Sequence, residues 1–268
     1  MFRSILMPTD GSAFSERILP RVEQLLTEQE GARLCLLRVL PASDDSEGDF
    51  RAATQELREL QNTLERRGLR VTYRIERGDP AEMIVSTVES TRPDLVAMAT
   101  HGHTGLTRLV RGSVAEGVLR NCNAALLICN THVQVNTDAA RFHRVLIPLD
   151  GSKLAKGALP LARELSLLCG AEAILFHAAA NEAAAAAQRP ELEALAGEFA
   201  GTGIPRVEVD VSVGEPPAAI LDAVDRHRAD VLTMSTHGRT GFARLRFGSV
   251  TEAILRDVPC PLLLRRCS

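Results

Sequence analysis

Two stretches of the chain carry chemistry-bearing residues in the same order and at the same spacing. One is Ala99-Thr100-His101-Gly102-His103-Thr104-Gly105, running on to Gly112-Ser113-Val114. The other is Ser235-Thr236-His237-Gly238-Arg239-Thr240-Gly241, running on to Gly248-Ser249-Val250. From Thr100 to Val114, ten of fifteen positions recur in the second stretch. An apolar run precedes each (95–98 and 231–234) and a helical pattern follows each. Strand, glycine-rich loop and helix start together make a common anion site, because the first amides of a helix have no partner within it. Gly102 and Gly238 permit the turn after the strand, and Gly112 and Gly248 let backbone approach a phosphate closely. Ser113, Ser249 and the amides after them face the same anion. Arg108, Arg111, Arg239 and Arg244 would add charge-assisted contacts.

The same residues also admit a structural reading, with Gly112-Ser113 as a helix cap and Gly102 as a turn. Spacing alone does not choose between the two. It does exclude a P-loop: there is no G-x-x-x-x-G-K-[ST], and the only lysines are Lys153 and Lys156. It also excludes the dinucleotide fingerprint, which belongs after the first strand, where this chain has Asp-Gly-Ser. His101 and His237 lack partners at metal-ligand spacing and are read as orienting their loops. Glu116 and Glu252 complete Ser-x-x-Glu capping boxes before they suggest general bases. No nucleophile–base pair stands out.

The elements that must position these loops come in two rounds. The glycine anchors repeat at an offset of 136 residues, from 102 to 238 and from 112 to 248. The chain therefore divides into domain 1 (1–131), a polar linker (132–142) and domain 2 (143–268). Strands are expected at 3–7, 33–40, 70–76, 95–99 and 125–129, and again near 144–148, 172–178, 206–213, 230–235 and 261–265. Helices are expected at 12–26, 51–67, 80–90 and 113–120, with Ser12 as an N-cap and Pro20 bending the first from inside. Pro160 repeats that oddity in the second round. Residues 41–49 read as a mobile acidic loop, and the alanine run 183–187 as a helix start or a surface loop. Alternating strands and helices imply an α/β fold of two tandem, open, parallel five-stranded sheets with helices on both faces, Rossmann-like in plan. If the first and fourth strands are neighbours, the Asp10 loop and the Gly102 loop face each other at the strand-order reversal, where open α/β sheets hold ligands.

Composition narrows the partners. A net charge of −3 and 3% aromatic residues, with no Trp and one Tyr, speak against nucleic acid. No apolar run reaches the length of a membrane span, and no signal peptide opens the chain. Six cysteines without CxxC spacing read as reduced thiols of a cytoplasmic protein.

Pro8-Thr9-Asp10-Gly11-Ser12, Pro148-Leu149-Asp150-Gly151-Ser152 and the two T-H-G…G-S-V loops together resemble the universal stress protein family in tandem form. The resemblance covers almost the whole chain. The ATP-binding branch of that family has G-x-x-G, nine residues, then G-[ST]. Nine residues separate Gly102 from Gly112 and Gly238 from Gly248, and Ser113 and Ser249 match the last position. Ala99 and Ser235 stand where the first glycine belongs, which narrows the approach of a ribose or phosphate.

The resemblance implies an adenine-nucleotide alpha-hydrolase-like fold and two sites for ATP, ADP or AMP, with or without Mg2+. Pro8, Thr9 and Asp10 would lie by the ribose or metal in the first half, and Pro148, Leu149 and Asp150 in the second. The backbone of Val39 and of Ala178 would meet the adenine edge. Met98 and Met234 would line the base pocket. Ala99, Gly102, Gly112, Ser113 and Val114 would hold the phosphates, and so would Ser235, Gly238, Gly248, Ser249 and Val250. The resemblance further implies pairing of 125–129 with 261–265 inside the chain, and leaves open a further homodimer. The function expected is a stress-response sensor whose shape or partners follow nucleotide occupancy. The alternatives are a scaffold that has lost nucleotide binding, and a slow ATPase or nucleotidyl-transfer enzyme. Differences between the halves make one nucleotide per chain an expectation too.

Overall fold

The computed structural model describes residues 2–42, 47–100, 113–133, 141–237 and 249–267. Two compact units divide the chain, Met1–Thr131 and His132–Ser268. In the first unit, β1 (Ser4–Pro8) is followed by a 3-10 turn (Ser15–Ile18) and α1 (Leu19–Thr27). Then come β2 (Arg33–Leu40), α2 (Glu47–Glu65), β3 (Arg70–Arg77) and α3 (Pro80–Thr91). The unit closes with β4 (Leu95–Ala99), α4 (Ser113–Asn121) and β5 (Ala125–Cys129).

The second unit repeats the plan. It opens with β6 (Arg144–Pro148), α5 (Lys153–Lys156), α6 (Leu159–Cys169) and β7 (Glu172–Ala179). It continues through α7 (Glu182–Ala200), β8 (Val207–Val213), α8 (Pro216–His227), β9 (Val231–His237), α9 (Ser249–Asp257) and β10 (Leu262–Cys267).

Within each unit all pairings are parallel, in the orders β3-β2-β1-β4-β5 and β8-β7-β6-β9-β10. The expected neighbours are present: Leu6 pairs with Val96 on β4, and Leu146 with Leu232 on β9. Central strands are apolar on both faces, which a sheet covered by helices on both sides requires. Ile5, Leu6 and Met7 are at most 1% exposed. An aspartate pins the entry of each central strand. Asp94 accepts from the Ser4 amide at 2.9 Å, and Asp230 from the His143 and Arg144 amides at 2.9 Å each.

The prolines correct the expected first helix. Pro20 does not bend a helix running from 12 to 26. The segment breaks into a 3-10 turn and α1, and Pro20 sits in the first turn of α1. Pro160 likewise sits in the first turn of α6, after the four-residue α5. A proline lacks the amide that an interior position must donate, but the first turn needs none. The second helix also begins earlier than expected, because Glu47 and Asp49 suit a helix N-terminus better than a loop. The alanine run opens α7, capped by Asn181, whose side chain accepts from the Ala184 amide at 2.9 Å. Residues 43–46 of the expected acidic loop lie outside the described residues. Within the stretch read as linker, Val133 is 2% exposed and Phe142 0%.

One close approach fixes the helix that follows the first glycine loop. A Cβ on Gly117 of α4 would stand 2.6 Å from the Cβ of Ala81 on α3. Alanine would add about 1 kcal/mol of helix propensity at 117, yet overpacking costs about 1–3 kcal/mol. Gly117→Ala is therefore expected to lower the melting temperature, and adding Ala81→Gly to recover part of the loss. A neutral or stabilising single substitution would show that the two helices are free to separate.

Candidate functional site

Aspartate before glycine commonly bonds its own backbone two residues on. Both Asp-Gly-Ser segments do so at the C-terminal end of a central strand. Asp10 Oδ1 accepts from the Ser12 amide at 3.0 Å and from its hydroxyl at 2.5 Å. Asp150 Oδ1 accepts from the Ser152 amide at 2.9 Å. The glycines between have φ of +76° and +81°, which a side chain would strain. Ser12 Oγ then accepts from the Ser15 amide at 3.1 Å, and Ser152 Oγ from the Ala155 amide at 3.0 Å, so each serine caps the next turn. The turn is tied sideways by the same bond in both units. Thr9 N donates to Leu37 O at 2.9 Å, and Leu149 N to Phe176 O at 2.8 Å.

The halves differ around these turns. Thr9 is buried; its hydroxyl accepts from the Gly11 amide at 3.1 Å and bonds the Ser15 hydroxyl at 2.9 Å. Leu149 has no hydroxyl, and its carbonyl instead accepts from His177 Nδ1 at 2.7 Å. In the first half the Arg38 guanidinium lies against the Gly11 turn. A Cβ on Gly11 would stand 2.8 Å from Arg38 Nη1 and 2.8 Å from Glu56 Oε2. Arg38 Nη2 is 3.8 Å from Glu56 Oε2, and Nη1 is buried without a hydrogen-bond partner. In the second half Lys156 Nζ is 3.0 Å from Glu191 Oε1, and Gln188 Nε2 donates to Glu191 Oε2 at 2.9 Å.

Charge follows these contacts. Burial pushes the Glu16 carboxyl up from the usual range, and the neighbouring Glu56 and Asp10 carboxylates push it further. Burial also acts to raise Asp150, but the Ser152 hydroxyl and amide, with help from His177, outweigh it and hold Asp150 below the usual range.

Adjacent parallel strands bring the expected site residues to one end of each sheet. Pro8, Thr9 and Asp10 follow β1. Val39 lies near the end of β2, Met98 and Ala99 at the end of β4, and Val114 on the first turn of α4. Pro148, Leu149, Asp150, Ala178, Met234, Ser235, Ser249 and Val250 repeat this in the second unit. Met98 and Met234 are 4% and 9% exposed, so most of each side chain packs in the core. The Ser235 hydroxyl donates to the Leu154 carbonyl of α5. Gly102, Gly112, Gly238 and Gly248 lie outside the described residues, as do His101 and the side chains of Ser113 and His237. Glu116 pairs with Arg120 one turn on.

Sequence reasoning missed Glu16, Arg38, Glu56, Lys156, His177, Gln188 and Glu191. No local motif marks them. Only the matched elements do: Glu56 and Glu191 are both the tenth residue of a 19-residue helix.

Two pH dependences follow. Glu16 titrates higher folded than unfolded, so its ionised form costs stability at neutral pH, and the cost fades as pH falls through the folded value. Glu16→Gln should raise the melting temperature at pH 7 and lose that advantage in acid. Asp150 titrates lower folded than unfolded. Asp150→Asn should destabilise at pH 7, and the difference should begin to fade at about pH 3.9, the unperturbed value, and be lost as pH falls through the lower folded value. Melting curves from neutral pH into acid read both, and differences that do not change with pH would refute both.

Known proteins can be set beside this geometry. The model of the universal stress protein family matches residues 1–130 and again 141–266. A universal stress protein of Thermus aquaticus is 30% identical over 140 residues, 47% of this chain and 99% of that protein. One from Methanocaldococcus jannaschii is 29% identical over 140 residues, 48% of this chain and 82% of that protein. The crystal structure of a universal stress protein from Archaeoglobus fulgidus matches the fold with a TM-score of 0.82 at 23% identity, covering 99% of both chains. Two family matches on two α/β units, each with its Asp-Gly-Ser turn beside the strand-order reversal, place this chain in the universal stress protein family as a tandem of two such domains.

Proposed function

We propose that the chain binds adenine nucleotide at the strand-order reversal of each unit, and acts as a regulator whose shape or partners follow nucleotide occupancy during stress. The observation that carries this reading is the repeated Asp-Gly-Ser turn, bonded sideways to the second strand and standing beside the end of the fourth. An open α/β sheet holds ligands in that crevice. The helix after the fourth strand of each unit, α4 or α9, would offer its first amides to a phosphate carried there. ATP, ADP and AMP share the adenosine that Val39 and Ala178 would read. Mg2+ would arrive on the phosphates, as it commonly does, with Asp10 or Asp150 as the nearby carboxylate.

The reading is a binding role rather than an enzymatic one, since the turn aspartates are engaged with backbone. We place its action in the cytoplasm, in line with Cys35, Cys122, Cys129, Cys169 and Cys260, which carry thiols and no disulfide. Among the described residues no helix is long and apolar enough to cross a membrane.

One observation favours the scaffold reading instead. Ser235, at the position of the family's first glycine, spends its hydroxyl on Leu154 and so closes against α5. Calorimetric titration with ATP and magnesium separates the two. The nucleotide reading expects a stoichiometry of one or two, and about 2.7 kcal/mol of stabilisation at a hundredfold excess over Kd. No heat, no thermal shift and no co-purified nucleotide would leave the scaffold.

A further inference from the structure

Among the described residues the two crevices are built alike but charged differently, and the largest charge difference falls at one matched position. Glu16 stands six residues after Asp10, and Lys156 six residues after Asp150. Each lies just past the turn, on the 3-10 turn in one unit and on α5 in the other. The helix after the second strand presents a glutamate to each of them, Glu56 on α2 and Glu191 on α7. In the second half the facing pair is attractive, with Lys156 Nζ 3.0 Å from Glu191 Oε1. In the first half it is repulsive. Among the described residues the Glu16 carboxylate has no hydrogen bond or ion pair, and burial, then the neighbouring Glu56 and Asp10 carboxylates, raise its pKa.

Arg38 only partly offsets this. Its guanidinium is 3.8 Å from Glu56 and packs on the Gly11 turn. Its counterpart by position in the strand, His177, bonds the Leu149 carbonyl. Counting Asp10, Glu16, Glu56 and Arg38, the first crevice carries −2. Counting Asp150, Glu191 and Lys156 among the described residues, and leaving the His177 imidazole aside, the second carries −1.

We propose that Glu16 and Lys156 make the two sites select ligands by charge: the second half takes the polyphosphate nucleotide, and the first half favours the least charged adenine ligand, down to the nucleoside. This rests on the nucleotide reading given above. A charge near a crevice acts on the whole bound anion over a screened range of about 8 Å at physiological salt. It therefore shifts ATP far more than adenosine, which has no charge to repel. Neither Glu16 nor Lys156 need touch the ligand, so their effect is electrostatic and weakens as salt is added.

The test titrates the full chain with ATP and with adenosine at low and high salt. The wild type should show two ATP affinities about tenfold or more apart at low salt, or one measurable ATP site, with the gap narrowing as salt screens it. Adenosine affinities should differ by less than about threefold, since adenosine carries no charge for Glu16 or Lys156 to act on. Glu16→Lys should strengthen the weaker ATP event, or create it, and leave the stronger one alone. Lys156→Glu should weaken only the stronger event. Glu16→Gln and Lys156→Gln, which remove charge without reversing it, should give half the effect and serve where a reversal melts early.

Equal ATP affinities in the wild type would overturn the inference, as would a gap just as wide for adenosine, which would assign the difference to shape. Those outcomes leave nucleotide binding standing. Absence of binding by both ligands at both halves would instead remove the nucleotide reading, and this inference with it.

Discussion

Every strand in each unit runs the same way, and the rest of the structure depends on that constraint. A parallel strand can be rejoined only through a crossover, and the crossover must take one hand. The chain moves outward from β1 through β2 to β3, then returns to the other side of β1 to build β4 and β5. The crossovers on either side of β1 thus go to opposite faces, and the strand order reverses between β1 and β4, where open α/β sheets leave a crevice. The crevice is a by-product of topology. The residues nearest it are whichever follow those strands, and after the first strand of each unit these form an Asp-Gly-Ser turn.

Local chemistry then makes the turn rigid. The aspartate closes the turn on its serine, and the serine caps the helical turn that follows. A short segment and a proline-started helix lead back down the sheet. In the first unit the turn must be tight, because Arg38 of β2 and Glu56 of α2 occupy the space a side chain at Gly11 would need. Ser235 shows how the fourth strand is drawn into the same arrangement. Its hydroxyl links β9 to α5, so two elements far apart in sequence share a hydrogen bond.

Much of this was legible in the residues, for identifiable reasons. The strands are continuous apolar runs, and Leu95–Ala99 and Ala125–Cys129 lie where their patterns begin and end. The duplication doubled every signal, so an Asp-Gly-Ser after a first strand could be trusted because it occurred twice. Pro20 misled because its cost was assigned to a helix interior, when the chain had a cheaper course in starting the helix there. The charged residues around the turns were not legible. Glu16, Glu56 and Arg38 come from three elements, and only the fold brings their charges together. Lys156 looked like one of two stray lysines until Glu191 was found 3.0 Å away.

The bond from the turn to the second strand has a consequence of another kind. It is the same in both units, 2.9 Å from Thr9 to Leu37 and 2.8 Å from Leu149 to Phe176. A scaffold that holds its geometry while its side chains diverge makes each half a reference for the other. The two sites share one polypeptide, one concentration and one buffer, so errors that trouble comparisons between separate proteins cancel. Duplication has left this chain with an internal standard, in which a difference between the halves reports on side chains rather than on backbone.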